Sequence, residues 1–185
     1  MVVPISGQNL EHHPAFAQQQ KLNNSGMYVL GTWAIANFSL SLPSMSALRE
    51  ENSTLYYFHE GNFAWNTVNL AIAGGSLLFD VFRSPKSTDF LAAKQLNERT
   101  RKALLVNSFL DVGYIGLGAW LWNNGSRNDD ARIEGYGQAL VAQGAFLLAF
   151  DLAFYYAQKQ FFKNNFEDNT SRVSFFPGGM KFRLD

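Results

Sequence analysis

Three aspartates stand in stretches that are otherwise nearly free of charge: Asp80, Asp111 and Asp151. A carboxylate in apolar surroundings must be protonated, hydrogen-bonded or neutralised by a cation. Asp111 follows Lys102, and Asp151 precedes Lys159, by spacings that put each about 12–13 Å along a helix from the flanking charge. The two therefore fall at similar depths, with Asn107 one turn from Asp111 on the same face. With Asp80 before Arg83 they make a candidate cluster for a polar ligand, a cation or a proton. A second set lies nearby in sequence. His59, Asn62, Asn66, Asn69, Ala73, Ser76 and Asp80 recur at steps of three and four, which lines them along one helix face. Unpaired amides in an apolar medium cost several kcal/mol each, so this stripe must face other helices or a wet cavity. His59 and Glu60 are a candidate acid and base, but adjacent helical residues point about 100° apart and need partners from elsewhere.

Other chemistry lacks its residues. There is no cysteine, so disulfides and thiolate metal sites are excluded. The motifs of phosphate loops, nucleophile elbows, dinucleotide folds, zinc proteases and di-iron bundles are absent. No cofactor is expected. A net charge of +0 gives no electrostatic ground for nucleic acid.

The elements that must position these residues follow from the spacing of charge. No charged side chain occurs from Leu22 to Leu48 or from Gly61 to Phe79. Only Asp111 is charged from Ala103 to Ser126, and only Asp151 from Gly135 to Gln158. A hydrocarbon core of about 30 Å needs roughly 20 mainly apolar residues in a helix, and four stretches have that length. The expectation is an all-α chain, a bundle of four transmembrane helices over 24–162. It follows a polar N-terminal segment, 1–23, and precedes an irregular cytoplasmic tail, 163–185. The helices are expected at about 25–42, ending before Pro43, 53–82, capped by Ser53, 89–123, starting at Thr88 or Asp89 and stopping at Asn123-Asn124-Gly125, and 130–162. Gly74-Gly75 reads as a close helix contact. Gly31-Thr32-Trp33 with Asn37 and Gly118-Ala119-Trp120 with Asn124 form a faint repeat, as two parallel hairpins would.

Basic residues divide unevenly between the two ends of such a bundle. Lys21, Arg83, Lys86, Lys94, Arg99, Arg101, Lys102, Lys159, Lys163, Arg172, Lys181 and Arg183 fall on one side, against Arg49, Arg127 and Arg132 on the other. By the positive-inside rule both termini are cytoplasmic.

The runs Gly26-Met27-Tyr28-Val29-Leu30-Gly31-Thr32-Trp33-Ala34-Ile35-Ala36-Asn37 and Tyr57-Phe58-His59-Glu60-Gly61-Asn62-Phe63-Ala64-Trp65-Asn66-Thr67-Val68-Asn69-Leu70 resemble a bacterial family of small four-helix membrane proteins of unknown function. Leu110-Asp111-Val112-Gly113-Tyr114 and Gln143-Gly144-Ala145-Phe146-Leu147-Leu148 are similar to it as well. The resemblance implies the same architecture and a bacterial inner membrane, and supplies no activity. The leading expectation is a binding or transport-related membrane protein for a polar ligand or cation, with the lipid bilayer as its partner and a homo-oligomer as a possible assembly. A membrane enzyme using His59 and Glu60 or the aspartates, and an accessory subunit with a merely structural stripe, are the alternatives.

Overall fold

The structure, a computed structural model, describes residues 15–49, 51, 53–82, 90–167, 173–176 and 179–182. Four long helices dominate it: α1 (Ala15–Leu48), α2 (Thr54–Phe82), α3 (Phe90–Arg127) and α4 (Ala131–Phe162). A π-helical turn, Lys163–Glu167, extends α4, and two short strands, β1 (Val173–Phe176) and β2 (Gly179–Phe182), pair antiparallel beyond it. The all-helical four-helix bundle expected from sequence is present, and α1 pairs with α2 as α3 pairs with α4. Packing of α2 on α4 joins the two hairpins.

Several boundaries differ from the expectation. α1 begins at Ala15, inside the polar segment expected to precede the bundle, because Gln19 and Asn23 find partners on α4 there. It also runs through Pro43 rather than ending before it. An interior proline costs a helix about 3 kcal/mol, and the packing of α1 along α2 outweighs that. α3 continues two residues past Gly125, to Arg127, and Gly125 serves the packing of the next helix instead of ending its own. A Cβ there would lie 2.7 Å from the Glu134 Cα. The turn that follows is held by Asp130, whose carboxylate accepts from the Arg132 and Ile133 backbone amides at 3.1 and 3.0 Å. Ser53 caps α2 as expected, accepting from the Tyr56 amide at 3.3 Å. The tail is not wholly irregular, since it holds the β1–β2 pair. The cap expected at Thr88 or Asp89, and Arg83, Lys86, Pro177 and Gly178, lie outside the described residues.

Glycines at seven-residue spacing hold the α3–α4 hairpin together. Gly118 of α3 faces Gly137 of α4, Gly125 packs against the Glu134 backbone, and Gly144 packs against Ile115. A Cβ on Gly118 would lie 2.9 Å from the Gly137 carbonyl oxygen. Gly74 and Gly75, expected to mark a close contact, have open space where a Cβ would stand. Their position on α2 is past the buried stretch, which ends at Ala73.

Polarity inverts along the bundle. Through its middle the largest fully buried side chains are amides, with Gln143 1% exposed. The outer surface there carries large apolar groups, Phe109 among them at 79% exposed. At the end where α1 and α3 begin the order is conventional. Ala15, Ala93 and Phe166 are buried with Phe16, Phe90, Phe161 and Phe162 around them. Lys94 and Arg101 lie over the Phe162 ring at 5.6 and 4.2 Å from its centroid. By length and composition two of the four helical segments, Phe90–Arg127 and Ala131–Glu167, meet the requirement for crossing a membrane. α1 and α2 do not: α2 carries three buried asparagines, and α1 is interspersed with serines and amides.

Candidate functional site

α4 carries a buried polar side chain at every second turn: Gln143, Asp151 and Gln158. Spacings of seven and eight residues keep them on one face, about 10–12 Å apart. Each organises a separate layer of the interior.

The Gln143 layer explains the stripe on α2. The buried residues of α2 are Asn62, Asn66, Asn69 and Ala73, so the three-four spacing marks its inner face. Gln143 Nε2 donates to Asn62 Oδ1 at 2.6 Å, and Gln143 Oε1 accepts from the Trp33 indole N–H at 3.0 Å. Asn69 donates to Asn66 Oδ1 at 3.3 Å, and Asn66 donates to the Asn62 carbonyl at 2.8 Å. One glutamine thereby ties α4 to both α1 and α2.

The Gln158 layer was not anticipated. Gln158 donates to Asn23 Oδ1 at 2.8 Å and accepts from Gln19 at 2.8 Å. Asn97 donates to Gln19 Oε1 at 2.9 Å and to Gln158 Oε1 at 2.8 Å. These amides join α1, α3 and α4 one turn from the phenylalanine cluster. Their signal in the sequence was Gln19 and Asn97 lying four residues beyond Ala15 and Ala93.

Between these layers lies the acid pair. Asp111 of α3 and Asp151 of α4 are 3% and 4% exposed and hydrogen-bond each other, and Asn107 hydrogen-bonds Asp151. A hydrogen bond between two carboxyl groups requires a proton on one of them. Asp111 Oδ2 is buried and accepts from no N–H or hydroxyl donor of the described residues. Asp111, Asp151, Asn107 and Asn69 all line a cavity of about 320 Å³ whose remaining wall is mostly apolar. A cavity of this size with a few convergent polar groups is what small-molecule sites look like.

Asp80 does not join the pair. Its half-buried position is eleven residues beyond Asn69 on α2, about 16 Å along the axis, and it does not line the cavity. The three-aspartate cluster is thus a two-aspartate site. Among the described residues no group of three His, Asp or Glu side chains is placed to hold a metal ion.

His59 and Glu60 go separate ways, as their angular offset requires. Glu60 accepts a hydrogen bond from the Tyr136 hydroxyl, with Arg132 near the Tyr136 ring. His59 packs edge-on against Phe58, and its Nδ1 is buried without a partner. Glu60, Tyr136 and Gln143 line a second cavity of about 410 Å³, with Trp65 on the boundary shared by both cavities.

A family model described as "Family of unknown function (DUF6992)" matches residues 29–152, the stretch that holds Asn62, Asp111, Gln143 and Asp151. No curated protein and no solved structure matches the chain.

Proposed function

We propose, for a chain that belongs to the family of unknown function DUF6992, that it is a small polytopic membrane protein whose interior binds a polar ligand or cation in a binding or transport role. All four helices cross the bilayer in this reading. Both ends of the chain lie on the cytoplasmic side of a bacterial inner membrane.

The observation that carries this reading is the inverted polarity of the bundle. Amides fill the interior while Val29, Ile35, Val68, Leu78, Phe109 and Leu152 point outward. In water such a belt far exceeds the few hundred Å² of apolar patch that soluble monomers expose. In hydrocarbon the belt is matched to its surroundings, and polar groups must then pair inside. The single end with an apolar interior is also the end with Lys21, Lys94, Arg99, Arg101, Lys102, Lys159 and Lys163. That agrees with a water-facing, cytoplasmic end.

Binding is supported by the contrast among the three layers. The amides of Gln143 and Gln158 bond to other side chains and serve as interhelical glue, worth about 0.6 kcal/mol per bond and seldom above 2. The Gln158 layer also keeps a buried acceptor without a partner, Asn97 Oδ1, so what sets the acid pair apart is that its two carboxyl groups line a cavity of about 320 Å³. The enzyme alternative built on His59 and Glu60 has less support, because Glu60 is engaged by Tyr136 while His59 packs on Phe58.

The chain has no native cysteine, so the test is clean. Lys163→Cys and Asn128→Cys variants are expected to stay in carbonate-washed membranes and to react with an impermeant maleimide from opposite sides. Release by carbonate, or labelling of both from the same side, would overturn the four-span reading.

A further inference from the structure

We infer that the ligand of the acid pair is an amphipathic organic amine, which enters sideways from the bilayer between α2 and α3. This deepens the membrane-binding reading and rests on it.

All four helices line the cavity of the acid pair, and its exposed lining residues lie on α2 and α3. α3 packs along α4, α1 along α2, and α2 against α4, but α2 and α3 do not pack along each other. Trp65 of α2 meets Tyr114 of α3 edge-on, with ring centroids 4.9 Å apart, and below that contact the cavity opens. Its outward-facing rim is mainly apolar, with Val68 and Ile72 on α2 and Leu110 on α3 each more than half exposed, and the exposed Asn107 on α3 is its polar member. The apolar residues belong to the belt assigned to hydrocarbon, so the mouth faces lipid rather than water.

The chemistry of the interior selects the occupant. Asp111 is almost wholly buried, and its Oδ2 accepts from no N–H or hydroxyl donor of the described residues. Two carboxyl groups facing each other need a proton or a cation between them, in a setting where an unmatched charge is costly. No Lys, Arg or His lines the cavity. A bare inorganic cation fits poorly, since calcium takes six to eight oxygen ligands and most of this wall is hydrocarbon. An ammonium group donates to the Asp111–Asp151 pair and supplies the counter-charge, and the aromatic residues Trp65, Tyr114 and Phe150 line the same cavity. The alkyl part of the same molecule lies along Ile72 and Leu110 toward the mouth. The volume, about 320 Å³, is at the lower end for small-molecule pockets.

The test uses the full chain reconstituted in phosphatidylcholine vesicles. The probe is a dodecylamine carrying a photoreactive diazirine in its chain, with the matching diazirine alcohol as the neutral control. Adducts are mapped by mass spectrometry. The amine is expected to label the α2 and α3 peptides around Ile72 and Leu110 saturably, with dodecylamine competing and dodecanol not. Asp111→Asn should weaken this labelling about tenfold, the equivalent of losing a charge-assisted hydrogen bond. Ile72→Trp should also weaken it, by narrowing the mouth without touching a carboxyl group, while labelling of the belt around Val29 stays unchanged. Equal labelling by amine and alcohol, or no loss in both variants, overturns the inference. Competition by sodium chloride or methylamine in place of dodecylamine also overturns it, while leaving a polar ligand site in the bundle standing. A chain that carbonate releases from membranes fails earlier, at the membrane reading itself.

Discussion

Gly137 of α4 and Gly118 of α3 bring their backbones so close that a Cβ on Gly137 would stand 2.7 Å from the Gly118 carbonyl oxygen. Only a shift of one helix against the other can relieve that contact. Gly137→Ala is therefore expected to destabilise the bundle by about 1–3 kcal/mol, as overpacking of a tight interior does. Gly74→Ala, where the space is open, should be neutral or stabilising by up to about 1 kcal/mol through helix propensity. Unfolding of both variants in mixed detergent micelles measures the difference. Equal stability would mean that the glycine seam is not what sets the α3–α4 spacing.

Gln143→Leu is expected to strand the Trp33 indole N–H and the Asn62 side-chain oxygen Oδ1 at once. The cost should be about 1–3 kcal/mol, the usual range for a buried polar group left unpaired. A double-mutant cycle pairing Gln143→Ala with Asn62→Ala isolates the 2.6 Å bond itself. Its coupling energy is expected near 0.6 kcal/mol and not above about 2. A coupling of zero would remove this bond from the forces joining the two hairpins.

Asn97→Ala takes away the donor that serves both Gln19 and Gln158. Loss of that ring should free the first two turns of α1, since Gln19 anchors them. Amide hydrogen exchange at residues 17–23 is expected to accelerate, with the turns around Gln143 unchanged. Uniform acceleration through α1 would show that the two amide layers do not act independently.

Asp111→Asn preserves a hydrogen-bonding group opposite Asp151 and nearly the same volume, so folding should be retained. Stabilisation of the chain against heat by dodecylamine should be lost in that variant. Asp80→Asn should keep it, because Asp80 lies well along α2 from the cavity. Loss of the effect in both variants would point to surface charge and not to the acid pair.

The inner face of α2 was legible in sequence because a period of three and four is set by helix geometry alone. The level of Asp111 and Asp151 was legible for a similar reason, a constant rise per residue measured from flanking charges. Asp80 was misplaced by the same arithmetic applied to a helix end. Proximity to the bundle end in sequence says nothing about which neighbour stands across the axis. The role of a glycine depends on the partner backbone, which sequence does not give directly. Gly74-Gly75 therefore drew attention by adjacency, while Gly118, Gly125, Gly137 and Gly144 carried the contact. Their seven-residue spacing was the available signal. The Gln158 layer escaped because Gln19 and Asn97 sit among charges, where amides read as solvated surface.

On the membrane reading, the unequal hydropathy of the two hairpins bears on how the chain is made. α3 and α4 are apolar enough for a bilayer to accept each alone. α1 and α2 emerge first from the ribosome, yet α2 presents Asn62, Asn66 and Asn69 with no partner outside its own hairpin until α4 follows. They must be sheltered by the insertion machinery, or wait at the lipid surface, until Gln143 is synthesised. Biogenesis then runs against the order of translation: the last helix to appear commits the first two to the bilayer.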